Sequence, residues 1–158
     1  MIYTPLTKRA LQIAFDAHKE QIDKTGLPYI FHPFYLAAQM ETEEEVCVAL
    51  LHDVAEDSEI TLDDLRAYGF PDSVMDALAL LTHDDDTEYV AYIKTIKSNL
   101  LAAKVKLADL RHNSDMTRLD VIDDKVRERH KKYRAAIKIL EEAFLHTLDK
   151  MDAYPLNL

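Results

Sequence analysis

Glycine is scarce in this sequence, since Gly26 and Gly69 are its only two glycines. So few glycines leave no material for the Gly-rich phosphate-binding loops of Rossmann and Walker proteins, or for the many tight turns of a β-sandwich. Long apolar runs are missing as well, because none approaches the ~18 residues that cross a bilayer. These absences favour a helical protein and argue against a membrane partner.

Cysteine is almost absent, with Cys47 alone in an apolar run. A single cysteine excludes a disulfide framework and a Cys-rich zinc module. We expect Cys47 to be a small buried side chain in a reducing cytosol. The first residues also lack the basic region and the apolar core of a signal peptide, which predicts a cytoplasmic protein.

Basic side chains are outnumbered, because 19 lysines and arginines against 29 aspartates and glutamates give a formal net charge of −10. A negative net charge disfavours binding to a nucleic-acid phosphate backbone, which depends on positive side chains that release counterions. Nucleic acid is therefore not an expected partner. The 158 residues, 48% of them apolar, fit one compact domain over residues 1–158. A core of that size needs no structural metal to fold.

Apolar residues recur at helical spacing along most of the chain, while no long stretch alternates with period two. Thr4-Pro5 is typical of an N-cap followed by a first-turn proline, and opens a helix that runs to about Glu20. The stretch from Glu43 to Ala55 is apolar on every side over residues 46–51, which predicts a helix at the centre of a bundle. We therefore predict an all-α single domain. Further helices are expected to start at His32-Pro33, Thr61 and Pro71 and to cover 88–97, 100–112 and 121–148, with a polar turn at 83–86.

The doublet His52-Asp53 stands out among the seven histidines because it ends the predicted central helix. A desolvated imidazole and carboxylate need compensating partners, and a bound cation compensates both. His32, which opens a helix, and Asp109, inside the apolar stretch 105–109, can complete the shell. Two imidazoles and two carboxylates suit Mn²⁺, Fe²⁺ or Zn²⁺, and affinity order alone does not choose among them.

Two further carboxylates follow the doublet at helical spacing. If the helix continues, Glu56 and Asp57 lie one turn beyond His52 and Asp53 respectively, beside the open side of a metal. A metal lowers the pKa of its bound water, and a nearby carboxylate can orient that water or exchange protons with the leaving group. This arrangement indicates a hydrolase, and phosphate esters fit best because a cation also neutralises phosphoryl oxygens.

The pattern His32, His52-Asp53, Asp109 resembles that of the HD-domain metal-dependent phosphohydrolases. The flanking sequences resemble the hydrolase domain of RelA/SpoT-type guanosine tetraphosphate enzymes over about residues 10–120. Four linked motifs in the family's order carry this resemblance. They are residues 17–21 (AHKEQ), 26–33 (GLPYIFHP), 49–58 (ALLHDVAEDS) and 105–109 (VKLAD) followed by His112-Asn113.

The resemblance implies a helical HD-domain bundle and a small stand-alone hydrolase that removes the 3′-pyrophosphate of (p)ppGpp, giving GDP or GTP and pyrophosphate. It implies a divalent metal, Mn²⁺ first, and a small nucleotide as the substrate partner. The residue roles it implies are a metal shell of His32, His52, Asp53 and Asp109, a catalytic pair of Glu56 and Asp57, and nucleotide contacts from Lys24, Thr25 and Asn113.

The chain departs from the family pattern in two places. The family usually has a basic residue that helps bind guanine two positions after Gln21, where this chain has Asp23. The order Asp-Arg-Leu-His-Asn becomes Asp-Leu-Arg-His-Asn here, which keeps Asp109 and Asn113 in register and moves the arginine. Asp23 favours one alternative, an HD phosphohydrolase acting on another nucleotide or phosphorylated metabolite.

A non-catalytic metal or nucleotide sensor is the other alternative, although Glu56 and Asp57 argue against it. Asn113 also fits a helix cap, and Lys24 and Thr25 also fit a solvated loop. We expect a water-facing basic cluster on the last helix, where self-association as a homo-oligomer is the alternative. Structural or surface roles are expected for the remaining histidines, His18, His83, His112, His130 and His146.

Overall fold

A computed structural model describes residues 1–82 and 87–152 of the chain, with side chains up to residue 145. All the regular elements in these ranges are helical, which confirms the predicted all-α class, and an isolated bridge pairs Ile22 with Pro28. The predicted turn at 83–86 lies outside the described residues. The helices are α1 (Pro5–His18), α2 (Phe31–Ala38), α3 (Glu43–Leu51), α4 (Val54–Asp57), α5 (Leu62–Ala67), α6 (Asp72–Leu81), α7 (Tyr89–Ile96), α8 (Leu100–Ser114), a 3₁₀ turn η1 (Met116–Arg118) and α9 (Asp124–Asp152).

Side-chain caps fix where three of these helices begin. Thr4, Thr42 and Thr61 each accept a hydrogen bond from the backbone N–H three residues on, while the side chain at that position bonds back to the threonine N–H. Each reciprocal pair satisfies two polar groups that a helix start otherwise leaves unpaired. The caps hold α3 in a defined register, and that register determines where its last residues point.

Helix α3 lies at the centre of the domain, packed against α1, α2, α6 and α8. All six side chains of residues 46–51 are at most 1% exposed, which confirms the predicted central helix. Cys47 is buried among them, as expected, and burial raises the pKa of its thiol to about 12. No described helix is both long and apolar enough to cross a membrane.

The predicted continuous helix over 43–55 is wrong, because α3 ends at Leu51 and the separate short helix α4 starts at Val54. His52 Nδ1 donates to the Ala49 carbonyl at 2.9 Å, the carbonyl that accepts from the N–H of residue 53 in a continuous helix. Asp53 then adopts φ −102° and ψ −3°. The backbone therefore turns at the two residues that the motif singled out.

Candidate metal centre and its adjoining cavity

Three helices bring two imidazoles and a carboxylate together in the core. His32 lies in the first turn of α2, His52 follows the end of α3, and Asp109 projects from α8. One nitrogen or oxygen atom of each lies within 4.8 Å of those of the other two. All three residues are no more than 4% exposed. We call His32, His52 and Asp109 the inner cluster.

The two Nε2 atoms of the inner cluster fit a cation. Neither His32 Nε2 nor His52 Nε2 has a hydrogen-bond partner among the described residues, although both atoms are fully buried. His32 Nε2 lies 3.2 Å from Asp109 Oδ1, and His52 Nε2 lies 2.9 Å from Asp53 Oδ2. Buried polar atoms without hydrogen bonds are costly, and imidazole nitrogens beside carboxylates are ordinary ligands for divalent transition metals.

Hydrogen bonds to the opposite ring atoms select the tautomers that a metal requires. His52 Nδ1 donates to the Ala49 carbonyl, which leaves Nε2 with its lone pair. His32 Nδ1 lies 2.6 Å from His112 Nδ1. Burial, His32 and Arg118 lower the pKa of His112 to about 4, so this ring is neutral and its Nδ1 accepts from His32. These bonds place a proton on Nδ1 of each ring, so the neutral form of either ring carries its lone pair on Nε2, the atom nearest Asp109 in His32 and Asp53 in His52.

Asp53 adjoins the inner cluster as a fourth group. Its Oδ2 lies 2.9 Å from His52 Nε2 and 3.9 Å from His32 Nε2, and it accepts a hydrogen bond from the Tyr29 hydroxyl. Although burial opposes ionisation, His52 outweighs it and lowers the pKa of Asp53. Burial alone would depress the pKa of His52, but the Asp53 and Asp109 carboxylates raise it to about 9. Without a metal, these groups form a proton-bearing ion pair.

Asp109 has two partners on its own helix. Lys106 Nζ lies 2.8 Å from Asp109 Oδ2, and the Asn113 amide donates to Asp109 Oδ1. Burial raises the pKa of Asp109 but Lys106 outweighs it, so the carboxylate stays ionised. The Lys106 ammonium also sits over the Tyr92 ring, 5.7 Å from its centroid. These partners orient the carboxylate towards His32 and His52.

Glu56 and Asp57 occupy the short helix α4, which starts at the turn in the chain. The Asp57 backbone N–H donates to the Asp53 carbonyl at 2.9 Å, so one helical turn separates Asp53 from Asp57 as the spacing predicted. Desolvation and the Asp53 carboxylate raise the pKa of Asp57. The Gln21 side chain donates to the Asp57 carbonyl and ties α4 to the loop after α1.

A cavity of about 180 Å³ opens beside His32. Two of the three predicted nucleotide contacts, Lys24 and Asn113, line it. Thr25 instead donates its N–H and hydroxyl to Asp23 Oδ1. Asp23 and Arg118 also line the cavity and pair with each other at 2.9 Å. We call Lys24, Asp23, Asn113 and Arg118 the cavity rim.

Two histidines that were expected to have structural or surface roles are neighbours of this site. His112 was expected to be structural or surface, yet it stacks on His32 with ring centroids 4.9 Å apart. His18 is fully buried, bonds Gln21 through Nδ1 and lies 5.0 Å from the Tyr29 ring. The position of His112 three residues after Asp109 places both on one face of α8, which was the available signal. His83 and the side chain of His146 lie outside the described residues.

Sequence comparison relates the chain to proteins named for guanosine tetraphosphate hydrolysis. It is 34% identical over 121 residues to the bifunctional (p)ppGpp synthase/hydrolase SpoT of Escherichia coli K12, covering 67% of this chain and 17% of that protein. Over 116 residues it is 35% identical to a Haemophilus influenzae guanosine-3′,5′-bis(diphosphate) 3′-pyrophosphohydrolase, covering 64% and 17%. A probable Synechocystis pyrophosphohydrolase matches 135 residues at 28% identity, covering 77% and 18%. The chain thus spans less than a fifth of the length of these relatives.

The fold gives an independent comparison. A solved metazoan ortholog of SpoT, described as hydrolysing ppGpp, superposes with a TM-score of 0.67 and 23% identity, covering 93% of this chain and 98% of that one. No protein-family model matches the chain. The chain is therefore similar in sequence to RelA/SpoT-type hydrolases over about two thirds of its length, and it shares the helical fold of the SpoT ortholog.

Proposed function

We propose that the chain is a metal-dependent hydrolase that removes the 3′-pyrophosphate from guanosine tetra- or pentaphosphate, giving GDP or GTP and pyrophosphate. One observation carries this proposal: two buried imidazole nitrogens without hydrogen-bond partners among the described residues converge on Asp109 beside a cavity lined by Lys24 and Arg118. The names of the sequence relatives supply the substrate class.

The residues proposed to hold a divalent cation are His32, His52, Asp53 and Asp109. Their mixed nitrogen and oxygen donors, with no thiolate, fit Mn²⁺ and also fit Fe²⁺ or Zn²⁺. When bound, the cation supplies positive charge to phosphoryl oxygens and makes water more acidic. Lys106 and Asn113 keep the Asp109 carboxylate turned towards the site, a support that affects metal affinity.

Asp57 and Glu56 are proposed to orient the attacking water and to exchange protons with it and the leaving group. A raised pKa suits Asp57 to accept a proton at neutral pH and return it to the leaving 3′ oxygen. In the overall reaction, water forms a new P–O bond, the 3′-O–P bond breaks, and the 3′ oxygen gains a proton. Lys24 and Asn113 are proposed to contact the nucleotide, and Thr25 to order the loop that presents Lys24.

The experiment that tests the substrate is a comparison of nucleotides on one preparation. Chelator-treated protein reloaded with Mn²⁺ is incubated with ppGpp, with GTP and with an adenine nucleotide that carries the same 3′-pyrophosphate. The proposal expects pyrophosphate from ppGpp, restored by Mn²⁺ and absent after chelation. Faster release from the adenine compound would instead support the other candidate, an HD phosphohydrolase of different specificity, which the carboxylate of Asp23 in the cavity favours.

A further inference from the structure

Asp23 and Arg118, which both line the cavity, form an ion pair. Arg118 Nη2 lies 2.9 Å from Asp23 Oδ2, although 95 positions separate the two residues. The Asp23 side chain is 11% exposed and the Arg118 side chain is 21% exposed, so the pair is partly shielded from solvent. A partly buried ion pair is screened less by salt than a fully exposed pair. The pair joins the loop after α1 to η1.

Arg118 is held at more than one point. Its Nη1 donates to the His112 carbonyl at 3.2 Å and lies 3.2 Å from His112 Nδ1. A guanidinium carries five N–H donors, so these contacts and Asp23 leave donors for another acceptor. The guanidinium is thus oriented before any ligand arrives, and pre-organised cations bind anions at lower entropic cost.

The two oxygens of Asp23 have different tasks. Oδ1 accepts from the Thr25 N–H, the Thr25 hydroxyl and the Leu27 N–H, at 2.8, 2.6 and 3.1 Å. Oδ2 contacts Arg118. The Asp23 carboxylate therefore stabilises the loop that carries Lys24 and also orients the Arg118 guanidinium.

Positive charge gathers at this cavity in a chain whose net charge is −10. Lys24 and Arg118 both line it. Burial and then the positive charges of Arg129 and Arg118 lower the pKa of Lys24, while Asp109 and Asp23 oppose the shift. Cations brought together against their repulsion suit an anionic ligand, and arginine favours phosphoryl groups because its planar fork matches their oxygens.

We infer that Arg118, positioned by Asp23, is a substrate-binding residue that contacts the 5′-diphosphate of the nucleotide, away from the bond that breaks. This inference rests on the proposed function. The negative charge of Asp23 by itself would repel an anionic nucleotide. In this inference the carboxylate instead favours anion binding, because it orients Arg118. The resemblance expects a guanine-binding cation at position 23, whereas here residue 23 pairs with a cation from η1 that is assigned to the diphosphate.

Binding of GDP to the Mn²⁺-loaded 158-residue protein tests the inference, because GDP keeps the 5′-diphosphate and lacks the bond that breaks. Calorimetry on Arg118→Ala should give a Kd about tenfold or more above that of the unsubstituted protein. Arg118→Lys should recover part of the loss, since lysine keeps the charge without the fork. The matched control is Arg111→Ala, an exposed arginine whose partner is Glu141, and it should bind GDP normally.

A double-mutant cycle tests the role of Asp23. Asp23→Asn keeps an oxygen for Thr25 and Leu27 but places an amide against Arg118, so GDP binding should weaken severalfold. In the Arg118→Ala background the same change should leave binding unchanged or strengthen it, because only an unpaired anion is removed. Tighter GDP binding by Asp23→Asn alone would overturn the positioning role.

Three further results would overturn the contact itself. These are no GDP binding by the unsubstituted protein, GDP binding by Arg118→Ala equal to that of the control, and an equal loss of guanosine binding, which would place Arg118 on the base. Failure of the proposed function is a separate observation, namely that the Mn²⁺-loaded protein binds GDP through Arg118 and leaves ppGpp intact.

Discussion

The inner cluster and the cavity rim lie side by side but are built in different ways. The cluster sits at the ends and faces of α2, α3 and α8, and its residues are almost fully buried. The rim is assembled from a loop, the end of α8 and η1, and its ion pair joins residues 95 positions apart. The cluster gathers buried nitrogen and oxygen atoms of the kind that bind divalent cations. In the rim, Asp23 and Arg118 instead pair with each other.

Under the proposed function, this difference assigns the chemical step to the cluster and substrate binding to the rim. Helices packed around α3 hold the cluster with little freedom, which suits groups that must keep a metal geometry. The rim rests on fewer, more exposed contacts, so substitutions there change binding without disturbing the core. We therefore expect substitutions in the cluster to abolish metal binding or turnover and substitutions in the rim to change affinity for the nucleotide.

The largest effect is expected from Asp109→Ala, which removes a proposed ligand. Mn²⁺ affinity should fall by more than the roughly 10–100-fold typical of a supporting residue. Metal content by atomic emission, with circular dichroism to verify the fold, measures the effect, and Glu141→Ala is the control because Glu141 is an exposed carboxylate. Full metal occupancy in a folded Asp109→Ala protein would break the assignment of the cluster.

Asp57→Asn should separate turnover from metal binding. The amide cannot accept the proton of the attacking water, so kcat should fall by about 10²–10⁴ while the Mn²⁺ content stays unchanged. Steady-state kinetics on metal-loaded protein measure the loss. Unchanged kcat would remove Asp57 from the mechanism and leave the metal centre intact.

His112→Ala tests whether a neighbour outside the proposed shell belongs to the cluster. Loss of the acceptor for His32 Nδ1 should free the ring to rotate or change tautomer and weaken Mn²⁺ binding about 10–100-fold. Competition with a fluorescent chelator gives the affinity, and Arg111→Ala on the same helix is the control. Equal affinities in the two variants would reduce His112 to a packing residue.

The pH dependence of metal binding gives the smallest effect, up to about tenfold per pH unit. The carboxylates raise the pKa of His52 to about 9 in the metal-free protein, so Mn²⁺ must displace its proton. Affinity should therefore rise with pH and level off near 9. In the metal-free protein, the stability that protonated His52 contributes is fully present below about 6.5 and is lost as pH rises through about 9. A flat affinity profile between pH 6 and 9 would contradict a protonated His52.

The sequence predicted the cluster better than its surroundings because the order of the family's motifs links His32, His52 and Asp109 although they lie far apart in the chain. His52 and Asp53 were recognised from the apolar stretch before them, and the helical class followed from composition and periodicity. The division of the stretch 43–55 into α3 and α4 was not predicted, although His52-Asp53 was expected to end the central helix. The division depends on a ring nitrogen of His52 competing for the Ala49 carbonyl. Helical periodicity carries no sign of such a side-chain bond.

The Asp23–Arg118 pair of the cavity rim could not be predicted from the sequence, for a different physical reason. Asp23 read alone is an anion in a substrate loop, and only the folded chain brings Arg118 against it. The position of Arg118 depends on how η1 follows α8, and a single sequence does not give that turn. His112 was likewise passed over because its contact with His32 spans 80 positions.

The most direct test of the account is incubation of the Mn²⁺-loaded protein with ppGpp, with the products separated by chromatography and Asp53→Ala run in parallel. The account predicts GDP and pyrophosphate in equal amounts, lost in the Asp53→Ala protein. Intact ppGpp with the metal-loaded protein, or equal release by both proteins, would contradict it.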